Sequence, residues 1–124
     1  MLIALWVTIG SAIGGLARYG VGVWLGGAVP LGLPVATFLV NLVGSAALGF
    51  LIGRQQVMGL PPHVYMGLTT GLLGGFTTYS TFNAELLRMT LAGDWGRFVA
   101  YASVTLLACF VGSYLGMLLG GRGG

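Results

Sequence analysis

Two long stretches of this chain carry no charged side chain, and they restrict its possible folds more than any other feature. Residues 19–53 contain no Asp, Glu, Lys or Arg, and neither do residues 55–84. About 20 mainly apolar residues are enough for an α-helix to cross the hydrocarbon core of a bilayer. Only 6% of all residues are charged, against about 25% in an ordinary soluble domain. We therefore expect a multi-pass integral membrane protein of the cell membrane.

Prolines and glycines divide these stretches into helices. Pro30 and Pro34, with the glycines around them, interrupt the first uncharged stretch, and the residues from Gly59 to Pro62 precede the third. The fold class that follows is all-α, with four transmembrane helices in one transmembrane domain over residues 1–124. The predicted spans are residues 2–26, 33–53, 62–91 and 95–119, followed by a flexible glycine-rich tail over residues 120–124.

The third predicted span is poorly suited to be one continuous helix. Gly71 to Thr81 contains three glycines, three threonines and a serine, all of which weaken a helix, and the Gly74-Gly75 pair is the expected point of opening. We place the break at residues 74–78, near the bilayer midplane. Lipid satisfies no backbone hydrogen bond, so such a break must be buried in protein, line a wet cavity or hold an ion. Freed carbonyls suit a cation, whereas N–H groups and hydroxyls suit an anion.

The residues around this break also carry a resemblance. The stretch GLLGGFTTYSTF at residues 71–82 resembles the third-helix signature GxxGGxTTFSTF of the Fluc/CrcB family of small fluoride channels. The resemblance extends to GGLARY at residues 14–19 and NLVGS at residues 41–45. It implies a fluoride-selective channel that exports fluoride passively across the cytoplasmic membrane and lowers its toxicity. One departure is Tyr79, which stands where the family usually has phenylalanine.

The resemblance also implies a set of functional residues. A fluoride pore would use the Asn41 amide, the hydroxyls of Ser80 and Thr81, and the ring edges of Tyr79 and Phe82. Two alternatives stay open here, because a membrane Asn can be a polar clamp between helices and an arginine can extend to the headgroups. The resemblance also implies that Arg18 is a vestibule residue and that the backbone carbonyls of Gly74 and Thr77 surround a structural Na⁺.

The arginines give little indication of orientation. Arg54 and Arg122 lie at one side of a four-span layout, and Arg88 and Arg97 lie at the other. With this balance the positive-inside rule predicts almost no preferred orientation. A chain that inserts in both orientations would have such a balance. The resemblance implies an antiparallel, dual-topology homodimer in which both breaks meet at one buried Na⁺.

Other functions fit the sequence less well. The arginines are scattered, which argues against nucleic acid, and no segment is suited to a nucleotide. His63 has no evident partner nucleophile, so no enzyme is expected. A small four-helix multidrug or cation exporter remains an alternative, but it needs a carboxylate at membrane depth, and neither of the two acids, Glu85 and Asp94, is expected at mid-span. Glu85 is expected near the interface with Arg88 three residues on, where an ordinary surface ion pair is the plain interpretation. The pattern leaves open whether Thr105 and Ser113 face a pore or bond to their own helix.

Overall fold

A computed structural model describes residues 1–26 and 33–123, and in this part of the chain all regular structure is helical. Three helices are long and apolar enough to cross a membrane: α1 (Leu2–Leu25), α2 (Val35–Met58) and α6 (Trp95–Gly120). The segment between α2 and α6 consists of shorter helical pieces. They are α3 (Pro62–Met66), a π-helical segment (Gly67–Leu73), α4 (Gly74–Phe76) and α5 (Tyr79–Leu91).

Helices α2 and α6 pack closely because glycines from both line their contact. A Cβ added at any of these glycines would overlap a carbonyl oxygen of the other helix, so only glycine allows this approach. Gly53, the predicted end of the second span, is one of them, and α2 continues beyond it to Met58. The contacts are Gly49 with Ser113, Gly53 with Met117, Gly116 with Ala46 and Gly120 with Phe50.

Helix α1 packs in the same way on the first half of the third span. A Cβ at Gly75 would lie 2.6 Å from the carbonyl oxygen of Ser11, and one at Gly71 would lie 2.8 Å from that of Val7. Both distances are too short for a real Cβ contact. Gly71 and Gly75, two of the three glycines that suggested a weak helix, are therefore positions of close helix contact.

The break in the third span lies beyond the predicted glycine pair. Gly74 and Gly75 are both helical, and the chain becomes extended at Thr77 (φ −80°, ψ 158°) and Thr78 (φ −148°, ψ 121°). The extended residues lie within the predicted break at residues 74–78, but the expectation that it opens at the Gly74-Gly75 pair is wrong by about three residues. The helix is irregular before the break. Gly67–Leu73 is π-helical, and the Gly74 N–H donates to the Thr69 carbonyl oxygen five residues earlier.

A turn follows α6 where a flexible tail was predicted. Gly121 N–H donates to the Met117 carbonyl, and the Arg54 side chain donates to the carbonyls of Gly120 (3.2 Å) and Arg122 (3.0 Å). These bonds satisfy carbonyls that the helix end leaves without donors. The last residue, at position 124, lies outside the described residues.

Candidate functional site

The extended residue Thr78 is held by the side chain of Asn41 from α2. Asn41 Nδ2 donates to the Thr78 carbonyl oxygen at 3.0 Å, and the Thr78 N–H donates to Asn41 Oδ1 at 2.8 Å. The amide thus replaces both backbone partners that Thr78 loses by leaving the helix. Of the two interpretations of Asn41, this contact is the polar clamp. A second Nδ2 hydrogen has no acceptor in the described residues, so a pore role for Asn41 stays a prediction.

Thr78 also begins the second half of the span. It is the N-cap of α5, and its hydroxyl oxygen accepts the Thr81 N–H at 3.3 Å. The same hydroxyl donates to Thr81 Oγ1 at 3.2 Å and lies 3.3 Å from Ser80 Oγ. The break therefore gathers three hydroxyls beside the amide of Asn41, and Thr81 keeps its own hydroxyl hydrogen available for another acceptor.

The same break frees backbone carbonyls on the α4 side. In an α-helix the carbonyl of residue i accepts from the N–H of residue i+4. The Thr78 N–H, which would bind Gly74, donates to Asn41, and the Thr81 N–H, which would bind Thr77, donates to the Thr78 hydroxyl. Within residues 1–26 and 33–123, no donor binds the carbonyl of Gly74 or Thr77. These oxygens are available to a cation.

Arg18 from α1 binds a third freed carbonyl. Its Nε donates to the Gly75 carbonyl oxygen at 3.1 Å, and the side chain is half-buried. Arg18 also lines a cavity of about 380 Å³ together with Thr37, Thr78 and Thr81. The arginine side chain therefore bonds to the break and lines the cavity beside it. Its vestibule role stays a prediction.

Three aromatic rings form a row that starts at the break. The ring centroids of Tyr79 and Phe82 are 6.1 Å apart, and those of Phe82 and Tyr101 are 5.0 Å apart. Tyr79 is 74% exposed in the single chain, whereas Tyr101 is 2% exposed. Phe82 thus lies between the exposed ring of Tyr79 at the break and the buried ring of Tyr101 on α6.

Glu85 has hydrogen-bond partners that the sequence did not identify. It forms no ion pair with Arg88 in the described part of the chain. Instead, Thr37 Oγ1 donates to Glu85 Oε1 at 2.5 Å, and the Tyr101 hydroxyl donates to Glu85 Oε2 at 2.6 Å. Thr37 and Tyr101 are both buried, so the carboxylate points into the bundle between α2 and α6. A threonine and a tyrosine within apolar helices were the available signal, but nothing in the sequence pairs them with Glu85.

A groove of about 680 Å³ runs along one side of the break and α6. It is lined by Asn41, Gly74, Phe82 and Thr105, among others. The Thr105 hydroxyl is buried and has no hydrogen-bond partner among the described residues, while Ser113 donates back to the Cys109 carbonyl at 2.8 Å. The two residues left open by the sequence thus differ, since Ser113 bonds to its own helix, whereas the buried Thr105 hydroxyl has no partner among the described residues.

Comparison with known proteins gives a consistent result. The family model described as CrcB-like protein, Camphor Resistance (CrcB), matches residues 5–117. A protein of Sorangium cellulosum, named fluoride-specific ion channel FluC, is 36% identical over 120 residues, covering 94% of this chain and 93% of its own. Proteins of the same name in Acidobacterium capsulatum (37% identical over 119 residues, 95% of each chain) and Thermus thermophilus (36% over 115 residues, 93% and 91%) are similar along nearly their whole length.

Proposed function

Because the chain belongs to the CrcB family, we propose that it is a fluoride-specific ion channel that lets fluoride leave the cell passively and so limits its toxicity. The observation that carries the proposal is the break at Thr77 and Thr78, where an amide, hydroxyls and ring edges meet within apolar helices. The relatives are named as channels, which fits the expectation that the chain is not an enzyme.

Fluoride is small and tightly hydrated, so a pore must replace its water with several donors at once. The second Nδ2 hydrogen of Asn41 and the hydroxyls of Ser80 and Thr81 supply such donors. The rims of Phe82 and Tyr79 add weak contacts, because an aromatic ring is positive at its edge. Weak contacts favour conduction, since a site must release the ion it binds.

The third span completes a four-helix transmembrane layout in this proposal. Its first half, Pro62 to Phe76, and its second half, Tyr79 to Leu91, would each be about 20 Å long at roughly 1.5 Å per residue. Together they exceed the hydrocarbon thickness of about 30 Å, which places the extended residues inside the bilayer. The hydrogen bonds from Asn41 and Arg18 supply partners that lipid lacks.

We further propose an antiparallel, dual-topology homodimer that joins two breaks. In the single chain Gly74 is exposed and Tyr79 is 74% exposed, although both lie next to the hydrogen-bonded break. A second copy would cover this open side of the groove. The balanced arginines at the two ends of the spans leave both insertion directions available.

A structural Na⁺ fits the same interface. The carbonyls of Gly74 and Thr77 have lost their helical donors, and hard oxygen ligands suit a monovalent cation. The described residues contain no cluster of His, Cys, Asp or Glu that could hold a metal, so backbone oxygens are the available ligands. Carbonyls from two copies would hold the ion, whose charge would stabilise both breaks.

The exporter alternative gains one observation from the structure. Glu85 is hydrogen-bonded to Thr37 of α2 and Tyr101 of α6, so a carboxylate contacts neighbouring helices, although it lies towards the end of the bundle beside Arg88 and Asp94. Family membership favours the channel, but transport measurements separate the two functions directly. A proton-coupled exporter needs a proton gradient, whereas a channel needs only an electrochemical gradient of fluoride.

The deciding experiment uses purified protein in liposomes loaded with potassium fluoride. We expect fluoride release, measured by electrode, as soon as valinomycin allows charge balance, without any proton gradient and with chloride release near the protein-free background. Once valinomycin is present, adding a protonophore should leave the rate of fluoride release unchanged, because a channel does not draw on a proton gradient. Absence of fluoride release, or equal release of chloride, would overturn the proposal.

A further inference from the structure

A second cavity lies at the end of the bundle, where the last turns of α1 and α5 approach the first turns of α2 and α6. Its volume is about 390 Å³, and its walls are largely apolar. Four charged side chains line it: Glu85, Arg88, Asp94 and Arg97. Thr37 lines both this cavity and the Arg18 cavity, and the second cavity is lined by both partners of the Thr37 to Glu85 hydrogen bond.

Most of these charges have well-defined partners. Asp94 Oδ2 pairs with Arg97 Nε at 2.7 Å, and Asp94 Oδ1 accepts the Arg97 N–H at 3.2 Å as the cap of α6. Glu85 accepts from Thr37 and Tyr101, which are neutral donors and leave its charge uncompensated. Arg88, three residues after Glu85 and on the same face of α5, is the cation that can balance it across the cavity.

We propose that Arg88 keeps this cavity accessible to anions and so makes it a second mouth for fluoride, an inference that rests on the proposed channel function. With both arginines and both acids charged, the four lining charges cancel. Without Arg88 they sum to one negative charge, next to the buried carboxylate, and a fluoride ion would be repelled. A charged, partly enclosed cavity changes the local concentration of an ion, and salt weakens this effect.

The test compares Arg88→Gln with wild type at two ionic strengths set by an impermeant salt. At about 20 mM we expect Arg88→Gln to reduce fluoride release roughly 3-fold to 10-fold, and at about 0.5 M less than about 2-fold, because the Debye length falls to a few ångströms. Arg88→Lys, which keeps the charge, should behave as wild type. The matched control is Arg122→Gln, which removes the same charge from an exposed residue that follows α6 and should change neither rate.

Asp94→Asn provides an independent variant of opposite sign. Asparagine also caps helices, so α6 should keep its first turn, and the added net positive charge should raise release about 2-fold or more at low ionic strength. If wild-type vesicles release fluoride and both Arg88→Gln and Asp94→Asn release it at the wild-type rate, this inference is overturned while the channel function stands. Wild-type vesicles that release no fluoride would overturn the channel function, and this inference with it.

Discussion

Asn41 and Thr78, 37 positions apart in the sequence, exchange two hydrogen bonds through the side-chain amide of one and the backbone of the other. The geometry is that of a backbone pair, with the amide acting as a missing peptide unit. An extended residue inside apolar helices would otherwise leave a donor and an acceptor unsatisfied, which is costly away from water. The amide therefore stabilises the break itself, whatever else its remaining hydrogen does.

Replacing Asn41 with leucine, which has nearly the same shape, should destabilise the protein and abolish fluoride release. Two backbone groups would lose their partners, at about 1–3 kcal/mol each, so we expect a loss of about 2–6 kcal/mol. An unfolding titration in detergent measures it. The control is Asn83→Leu, because Asn83 is exposed and makes no side-chain hydrogen bond with the described residues. Equal stability of the two variants would contradict the clamp.

The position of the break shows what local sequence can and cannot predict. Low helix propensity correctly indicated an interruption between residues 71 and 81, but it selected Gly74-Gly75. The helix continues there because Gly75 lies against Ser11 of α1, where its lack of a side chain is required by a neighbour. The backbone is extended at Thr78 instead, because Thr78 donates its N–H to the Asn41 side chain and its own side chain caps α5. Both partners are distant in sequence, so propensity alone does not identify them.

The partners of Glu85 were missed for a related reason. Its sequence neighbours suggested an ion pair with Arg88 three residues on, which is a local rule. In the structure the Glu85 carboxylate accepts hydrogen bonds from Thr37 and Tyr101, which are 48 and 16 positions away in the sequence. By contrast, α1 and α6 match their predicted spans to within one residue, although α2 continues from the predicted end at Gly53 to Met58. Hydropathy over about 20 residues reflects the lipid environment and needs no knowledge of partners.

Phe82→Ile should reduce fluoride release about 100-fold or more while leaving the fold intact. Isoleucine keeps most of the apolar volume between Tyr79 and Tyr101 but has no positive ring edge to face an anion. Initial release rates from liposomes measure the effect, with elution volume and thermal stability as checks on folding. Phe50→Ile, at a ring 43% exposed on α2, is the control and should release fluoride as wild type does. Normal release from Phe82→Ile would remove the ring edge from the mechanism.

Tyr101→Phe should destabilise the protein by about 1.5–3 kcal/mol, the range for a hydrogen bond to a charged group. The hydroxyl donates to Glu85 Oε2 at 2.6 Å in a buried position, so its loss leaves one carboxylate oxygen without a donor. Tyr114→Phe makes the same change on the same helix, at a residue that is 52% exposed, and should alter stability by less than about 0.5 kcal/mol. Similar unfolding midpoints for both variants would argue that the Glu85 cluster contributes little.

Gly74→Val tests the assembly of two chains separately from the folding of one chain. Within one chain a Cβ at Gly74 would lie 3.6 Å from the Thr69 carbonyl oxygen, an ordinary contact, so the chain itself has room for a side chain. If a second copy and a shared cation occupy this surface, a valine there should weaken the pairing of two chains while each chain keeps its helices. Cross-linking in liposomes and mass measurement in detergent should both find more monomer.

Two further glycines provide the controls for that result. Gly20→Ala adds a Cβ with nothing within 4 Å and should leave assembly and helicity unchanged. Gly14→Val would overlap the Leu72 carbonyl within the same chain, so it should disrupt folding before assembly is reached. A dimer in Gly74→Val as stable as that of Gly20→Ala would show that Gly74 faces lipid or water, and the proposed cation interface would have to lie elsewhere.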